Sequence, residues 1–247
     1  MLLLTSGNSE YYTRYTPSGF YGIDWTYVFV IIGFVICLIA KFNCERTFDK
    51  YKKVRSSSGL TGAEAARRIL NNAGIYDVSI TRVSGKMTDY YSPKDKRLAL
   101  SDSTYDNTSV AAIGVAAHEC GHAIQHDKGY VPVVLRSMIA PAVTICSKLS
   151  IPLIMLGFIL SLYSTLVPLG IILFSVTVIF SIVTLPVEFN ASHRALKILD
   201  SNGILGHDEV KKARKVLSAA AMTYVAGTIS SALQLLRLIL LSQRRRR

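Results

Sequence analysis

His118, Glu119 and His122, in the stretch Ala111 to Asp127 (AAIGVAAHECGHAIQHD), are the residues whose types and spacing could do chemistry. On an α-helix a spacing of four residues puts the two imidazoles within about 40° of each other, one turn apart. Two imidazoles so placed can grip one zinc ion, and Glu119 projects beside it, able to take a proton from water there. The rest of the stretch is Ala, Gly, Val, Ile and Cys on nearly every side, so the helix reads as buried. Three ionisable groups on a buried helix are costly unless paired or bound to metal. Function explains that cost better than accident.

A hydrolytic zinc site needs three protein ligands and one open position for water. His126 lies two turns beyond His118, an axial offset of about 12 Å, too far to share its ion. His122 and His126 form a rival pair, but no Glu follows the first of them. A metzincin extension also fails, because Gln125 and Lys128 stand where Gly and a third His would be needed. The third ligand must come from elsewhere, and Glu188 leads: it is the first charge after 39 uncharged residues, Leu149 to Val187. Ser192, four residues on, can hydrogen-bond within the site. With zinc acidifying water and polarising the scissile carbonyl, Glu119 would act as general base. Tyr224, His193 and Arg194 are open candidates for a second oxyanion donor.

Several elements must position these groups. Trp25 to Ala40 gives 16 apolar, uncharged residues, a short membrane span with Trp25 and Tyr27 at the interface. Six basic residues follow between Lys41 and Arg55, so residues 1–24 are expected outside and the chain after 41 begins in the cytoplasm. Ser56 to Leu60 is a linker, Thr61 to Glu64 a capping box, and Gly74 is placed to end the helix it opens. Tyr76 to Val83 and Met87 to Leu100, around the turn Ser92 to Lys96, predict a small antiparallel sheet. Asn107, Thr108 and Ser109 offer N-caps to the motif helix. As one helix the uncharged run 149–187 would extend about 58 Å, near twice a hydrocarbon core of about 30 Å. It must fold back near Tyr163 to Gly170, a transmembrane hairpin returning Glu188 to the side of the histidines. A last helix, about Leu217 to Leu241, could span or pack inside the catalytic domain; spanning would put Arg244 to Arg247 outside, which the positive-inside bias disfavours.

Composition agrees. The 247 residues carry 28 Lys and Arg against 16 Asp and Glu, while mean hydropathy is positive at +0.34. Apolar character with a dispersed basic excess suits a membrane protein with basic flanks, not a nucleic-acid binder. Cys37, Cys44, Cys120 and Cys146 show no CxxC spacing and predict a reducing setting without structural disulfides. The start, MLLLTSGNSE, holds too short an apolar run for a signal peptide.

The segments 61–70, 87–125, 184–196 and 219–227 resemble the YugP-type family of membrane-bound neutral zinc metallopeptidases, with a more distant likeness to HtpX and Ste24-type proteases. The resemblance implies zinc on His118 and His122 with Glu119 catalytic. The distant relatives take their third ligand from ExxxD; Glu188 to Ser192 reads ExxxS, which supports Glu188 but lacks the Asp. The expected fold is mainly α, α+β: a polytopic membrane protein with a zincin-like helical catalytic domain and a small antiparallel β-sheet. Its parts are an outer segment 1–24, a span 25–40, catalytic portions 41–148 and 188–247, and the hairpin 149–187. The expected activity is a zinc-dependent (Zn2+) endopeptidase in the cell membrane, with a cytoplasmic site near the bilayer surface. It would act on a membrane-associated polypeptide running along an edge strand at Arg97 to Ser101. The competing reading is a non-proteolytic membrane scaffold with a structural metal; no fourth His or Cys is well placed to close such a site.

Overall fold

The computed structural model describes residues 24–244. Residues 1–23 of the expected outer segment and Arg245 to Arg247 lie outside the described residues. Helix α1 (Tyr27–Lys52) carries the first apolar run and continues unbroken through its basic end. Helix α2 (Gly62–Asn72) opens on the expected capping box. Thr61 Oγ1 accepts from Glu64 N, and the Glu64 carboxylate accepts from Thr61 N. It ends at Gly74, whose φ of +77° suits a residue without a Cβ.

Strands β1 (Ser79–Val83), β2 (Tyr90–Ser92) and β3 (Arg97–Ser101) form one sheet in the order β1-β3-β2. The β2–β3 hairpin is antiparallel, as the turn chemistry at 92–96 predicts. The sheet as a whole is mixed, because β1 pairs parallel to β3, Ser79 opposite Arg97. The segment 84–89 crosses over to the far side of β3, so β3 is the central strand. Its hydrophobic run, Leu98 to Leu100, is buried on both faces of the sheet.

Helix α3 (Val110–Asp127) carries the histidines and is capped by Ser109, whose Oγ accepts from Ala112 N. Its Val110, Ile113, Ala116, Ala117 and Cys120 are buried against Ile69, Leu70 and Leu98 in the main core. Helices α4 (Val131–Ile159) and α5 (Leu166–Ser201) form the hairpin, turning at residues 160–165. Both arms outrun the uncharged stretch: Arg136 and Lys148 lie within α4, and α5 continues through Glu188. Charge marks where a helix leaves an apolar medium, not where it ends.

Helix α6 (His207–Arg244) is one 38-residue rod. Its first turns are packed in the catalytic core through Val210, Ala213 and Leu217. The remainder does not stay inside that domain as expected; it runs antiparallel along α1, with Ser230 at Gly33 and Arg237 over the Tyr27 ring at 4.0 Å. Helices α1, α4, α5 and α6 are each long and apolar enough to cross a membrane. Their large side chains point outward: Phe34, Met138 and Ile172 are 64%, 73% and 61% exposed. Such a surface belongs in lipid.

Candidate metal centre

The site forms where α3 crosses α5. Gly121 permits the crossing: a Cβ there would meet the Ala191 carbonyl oxygen at 2.6 Å. With the backbones this close, Glu188 projects onto the histidine face of α3. Its Oε2 lies 3.3 Å from His118 Nε2 and 3.5 Å from His122 Nε2. Ligand atoms of these three residues all lie within 4.8 Å of one another. Glu188 is 22 residues into α5, about 33 Å from the hairpin turn, close to a hydrocarbon thickness of about 30 Å.

Hydrogen bonds decide which atoms these side chains offer. Gln125, fully buried one turn after His122, donates through Nε2 to Val187 O (2.8 Å) and Asn190 Oδ1 (3.0 Å). With its nitrogen committed to two acceptors, the Gln125 oxygen faces His122 Nδ1 at 3.0 Å. That ring nitrogen must donate, so in the neutral ring that a metal requires His122 Nε2 carries the lone pair toward Glu188. Ser192 Oγ lies 3.0 Å from His118 Nδ1 and can hold that ring in the same tautomer. Arg136, from α4, donates to Glu188 Oε1 at 3.2 Å and holds the carboxylate from behind. Glu188 Oε2 is buried and has no hydrogen-bond donor. Lone pairs on Nε2 and Oε2 facing one another repel unless a cation lies between them. Two imidazole nitrogens and a carboxylate oxygen are a fitting donor set for zinc with one position left open.

Glu119 is buried on the same helix. Burial pushes its carboxyl pKa up, and His118 and His122 pull against that shift. It lines a cavity of about 420 Å³ with His118, Glu188, Ser192 and Tyr224. The far wall is Lys41, Cys44 and Glu45 of α1, so the cavity lies where the first span leaves the apolar run. Asp89 lines it too, held by Ser101 N and Oγ at 2.8 and 2.9 Å.

Of the residues expected from the sequence, His118, Glu119, His122, Glu188 and Ser192 meet here. Tyr224 reaches the cavity wall. Arg194 turns away, its Nε on Asn190 Oδ1 and its guanidinium over the Tyr130 ring, and His193 is exposed. His126 is exposed at the end of α3, its ring against Tyr91, so it forms no pair with His122 toward a metal. Cys120 faces the opposite side, with Sγ donating to Ala66 O and its thiol pKa raised by burial. Gln125 and Arg136 are additions. Gln125 was readable as a polar residue at i+3 from His122 on an apolar helix; no sequence signal marked Arg136.

A polytopic α-helical membrane protein with a His–His–Glu cluster where a buried helix crosses a membrane-length one is the class that fold and site define. The sequence model of the family described as "Putative neutral zinc metallopeptidase" matches residues 26–243, and the chain belongs to that family. It is 48% identical over 202 residues to "Putative membrane protease YugP" of Bacillus subtilis (strain 168), covering 82% of this chain and 89% of that protein. No solved structure matches the chain.

Proposed function

We propose that the chain is a membrane-embedded zinc endopeptidase whose active site faces the cytoplasm at the bilayer surface. The observation that carries this reading is the donorless Glu188 Oε2, buried between two histidine nitrogens. His118, His122 and Glu188 would hold the zinc, with Ser192, Gln125 and Arg136 orienting them. Bound zinc supplies a Lewis acid that acidifies water and polarises the scissile carbonyl. Glu119, buried beside the cavity and not itself a ligand, accepts the proton of the attacking water. It then delivers that proton to the leaving amine. Tyr224, on the α6 wall of the cavity, is the best-placed donor for the developing oxyanion.

The expected substrate edge at β3 is replaced, since β3 is flanked on both sides. Strand β2 is an edge strand, and Met87 and Asp89, just before it, line the cavity. An extended peptide added to β2 would run past Glu119. Because the cavity lies where α1 and α6 enter the apolar layer, a chain tethered to the bilayer arrives at high effective concentration.

The test is zinc content and peptide cleavage of the purified protein in detergent. His118→Ala, His122→Ala and Glu188→Ala should each lose zinc and activity. Glu119→Gln should keep zinc and lose turnover. Full zinc in Glu188→Ala would refute the ligand set, and bound zinc without any cleavage would favour a structural metal. In proteoliposomes a cleavable sequence fused to a membrane anchor should be cut faster than the same sequence free. Equal rates would refute surface delivery alone.

A further inference from the structure

A second cleft, about 520 Å³, lies between α1 and α6 on the faces turned away from the metal cavity. The metal cavity takes Lys41, Cys44 and Glu45 from α1 and Leu217, Ala221 and Tyr224 from α6. The second cleft takes Asn43, Thr47 and Lys50 from the one and Arg214, Lys215 and Ser218 from the other. Three cations and four neutral polar side chains (Asn43, Thr47, Tyr51 and Ser218) line it, with no carboxylate among them. Among the described residues, none of Lys50, Arg214 and Lys215 has a carboxylate oxygen within 4.0 Å, although acidic side chains nearby are paired: Asp49 with Lys86, Glu45 with Lys41. Like charges gathered in one cleft without a counter-ion repel, and an anion relieves that repulsion.

Position says which anion. The antiparallel pairing that sets Gly33 at Ser230 also brings Lys41 level with Met222, where the apolar run of α1 ends. Met222 and Ala219 line the membrane end of the cleft. Lys50 is nine residues beyond Lys41, about 13 Å along the axis, and Arg214 and Lys215 pair with that level of α1. The cleft therefore grades from apolar to cationic over about 12 Å, from the hydrocarbon edge through a headgroup layer of about 5–8 Å, and the long Lys and Arg side chains can reach back to phosphates in that layer. A free phosphate would use only the cationic end; an amphiphile uses the whole gradient. Clustered Lys and Arg at such a depth attract anionic lipid.

We propose that this cleft binds the headgroup phosphate of an anionic phospholipid, seated between α1 and α6 on the face opposite the metal cavity. The full chain in neutral detergent would be titrated with phosphatidylglycerol, phosphatidylcholine or inorganic phosphate, and binding read from the rise in unfolding temperature. Phosphatidylglycerol should stabilise the wild type and phosphatidylcholine should not. The variant K50Q/R214Q/K215Q should need about a hundredfold more phosphatidylglycerol, about fivefold per charge. Ser218→Glu, which places a carboxylate in the cleft at an exposed position, should weaken binding in the same direction. R46Q/K52Q/K53Q, three charges off the same helix end outside the cleft, should bind as the wild type does. Zinc content, unchanged in all variants, reports that they fold. Equal loss in both triple variants would overturn the site in favour of diffuse surface attraction. Stabilisation by inorganic phosphate alone, or none by phosphatidylglycerol, would overturn the lipid.

Discussion

Two neutral side chains orient the histidines. Gln125 accepts from the His122 nitrogen remote from Glu188 and is locked because its own nitrogen has two fixed acceptors, while Ser192 Oγ faces the corresponding nitrogen of His118 and can accept from it. Removing such a partner costs a metal site about 10- to 100-fold in affinity. Gln125→Leu is therefore expected to weaken zinc binding by that factor, measured by competition with a chelator. Gln125→Glu keeps an acceptor for His122 and should retain zinc within a few-fold. It loses the donor to Val187 O and Asn190, so its unfolding temperature should fall. Equal zinc loss in both variants would show that Gln125 acts by packing and not through its oxygen.

Helix contacts set the distances that the side chains exploit. Gly121 lets α5 approach α3, and Gly121→Ala would drive a Cβ into the Ala191 carbonyl. Overpacking of this kind costs about 1–3 kcal/mol. The expected result is a lower unfolding temperature together with reduced zinc content, since Glu188 moves with α5. At α2, the Thr61 backbone and side chain hold the Glu64 carboxyl below the usual range. A pKa lower in the folded state than in the unfolded chain contributes stability that is complete above the unfolded value. It is lost as pH falls through the folded one. Thr61→Ala should cost about 1 kcal/mol at neutral pH, and the difference between the two proteins in thermal unfolding should shrink in acid. A difference that stays constant down to acid pH would show that the Thr61 hydroxyl does not hold the Glu64 carboxylate.

At the scale of the molecule, α1 and α6 form an antiparallel pair beside the α4–α5 hairpin, four crossings in all if each spans. An even number puts both termini on one side. If basic residues 41–55 lie in the cytoplasm, as proposed, both ends face outward. In a background lacking the native cysteines, Cys substitutions at Glu10 and Gln243 should react with an impermeant thiol reagent on intact cells. Asp95→Cys, at the tip of the β2–β3 turn, should react only after lysis. Labelling at 95 on intact cells would invert the orientation, and silence at 243 would return α6 to the inner side. Arg237, stacked on Tyr27, lies level with the start of α1, at the end of the bundle that this orientation puts outside.

The residues governed by neighbours along the chain were legible without a structure. A helical repeat of 3.6 puts His118 and His122 on one face whatever surrounds them. Thr61 and Glu64 cap within one turn, and 39 uncharged residues exceed one bilayer and must turn back. The approach of Glu188 followed from that turn because membrane thickness acts as a ruler on both arms. What depended on partners distant in sequence was not legible. The parallel pairing of β1 with β3 rests on a crossover at 84–89 with no distinctive turn chemistry. The course of α6 past α1 was obscured by a charge rule that speaks to loops and not to helix packing. Arg136 looked like an ordinary flanking charge until α4 was seen to carry it down to Glu188. Local periodicity is written in consecutive residues; the closing of a site by side chains 52 to 74 positions apart is settled only when helices meet.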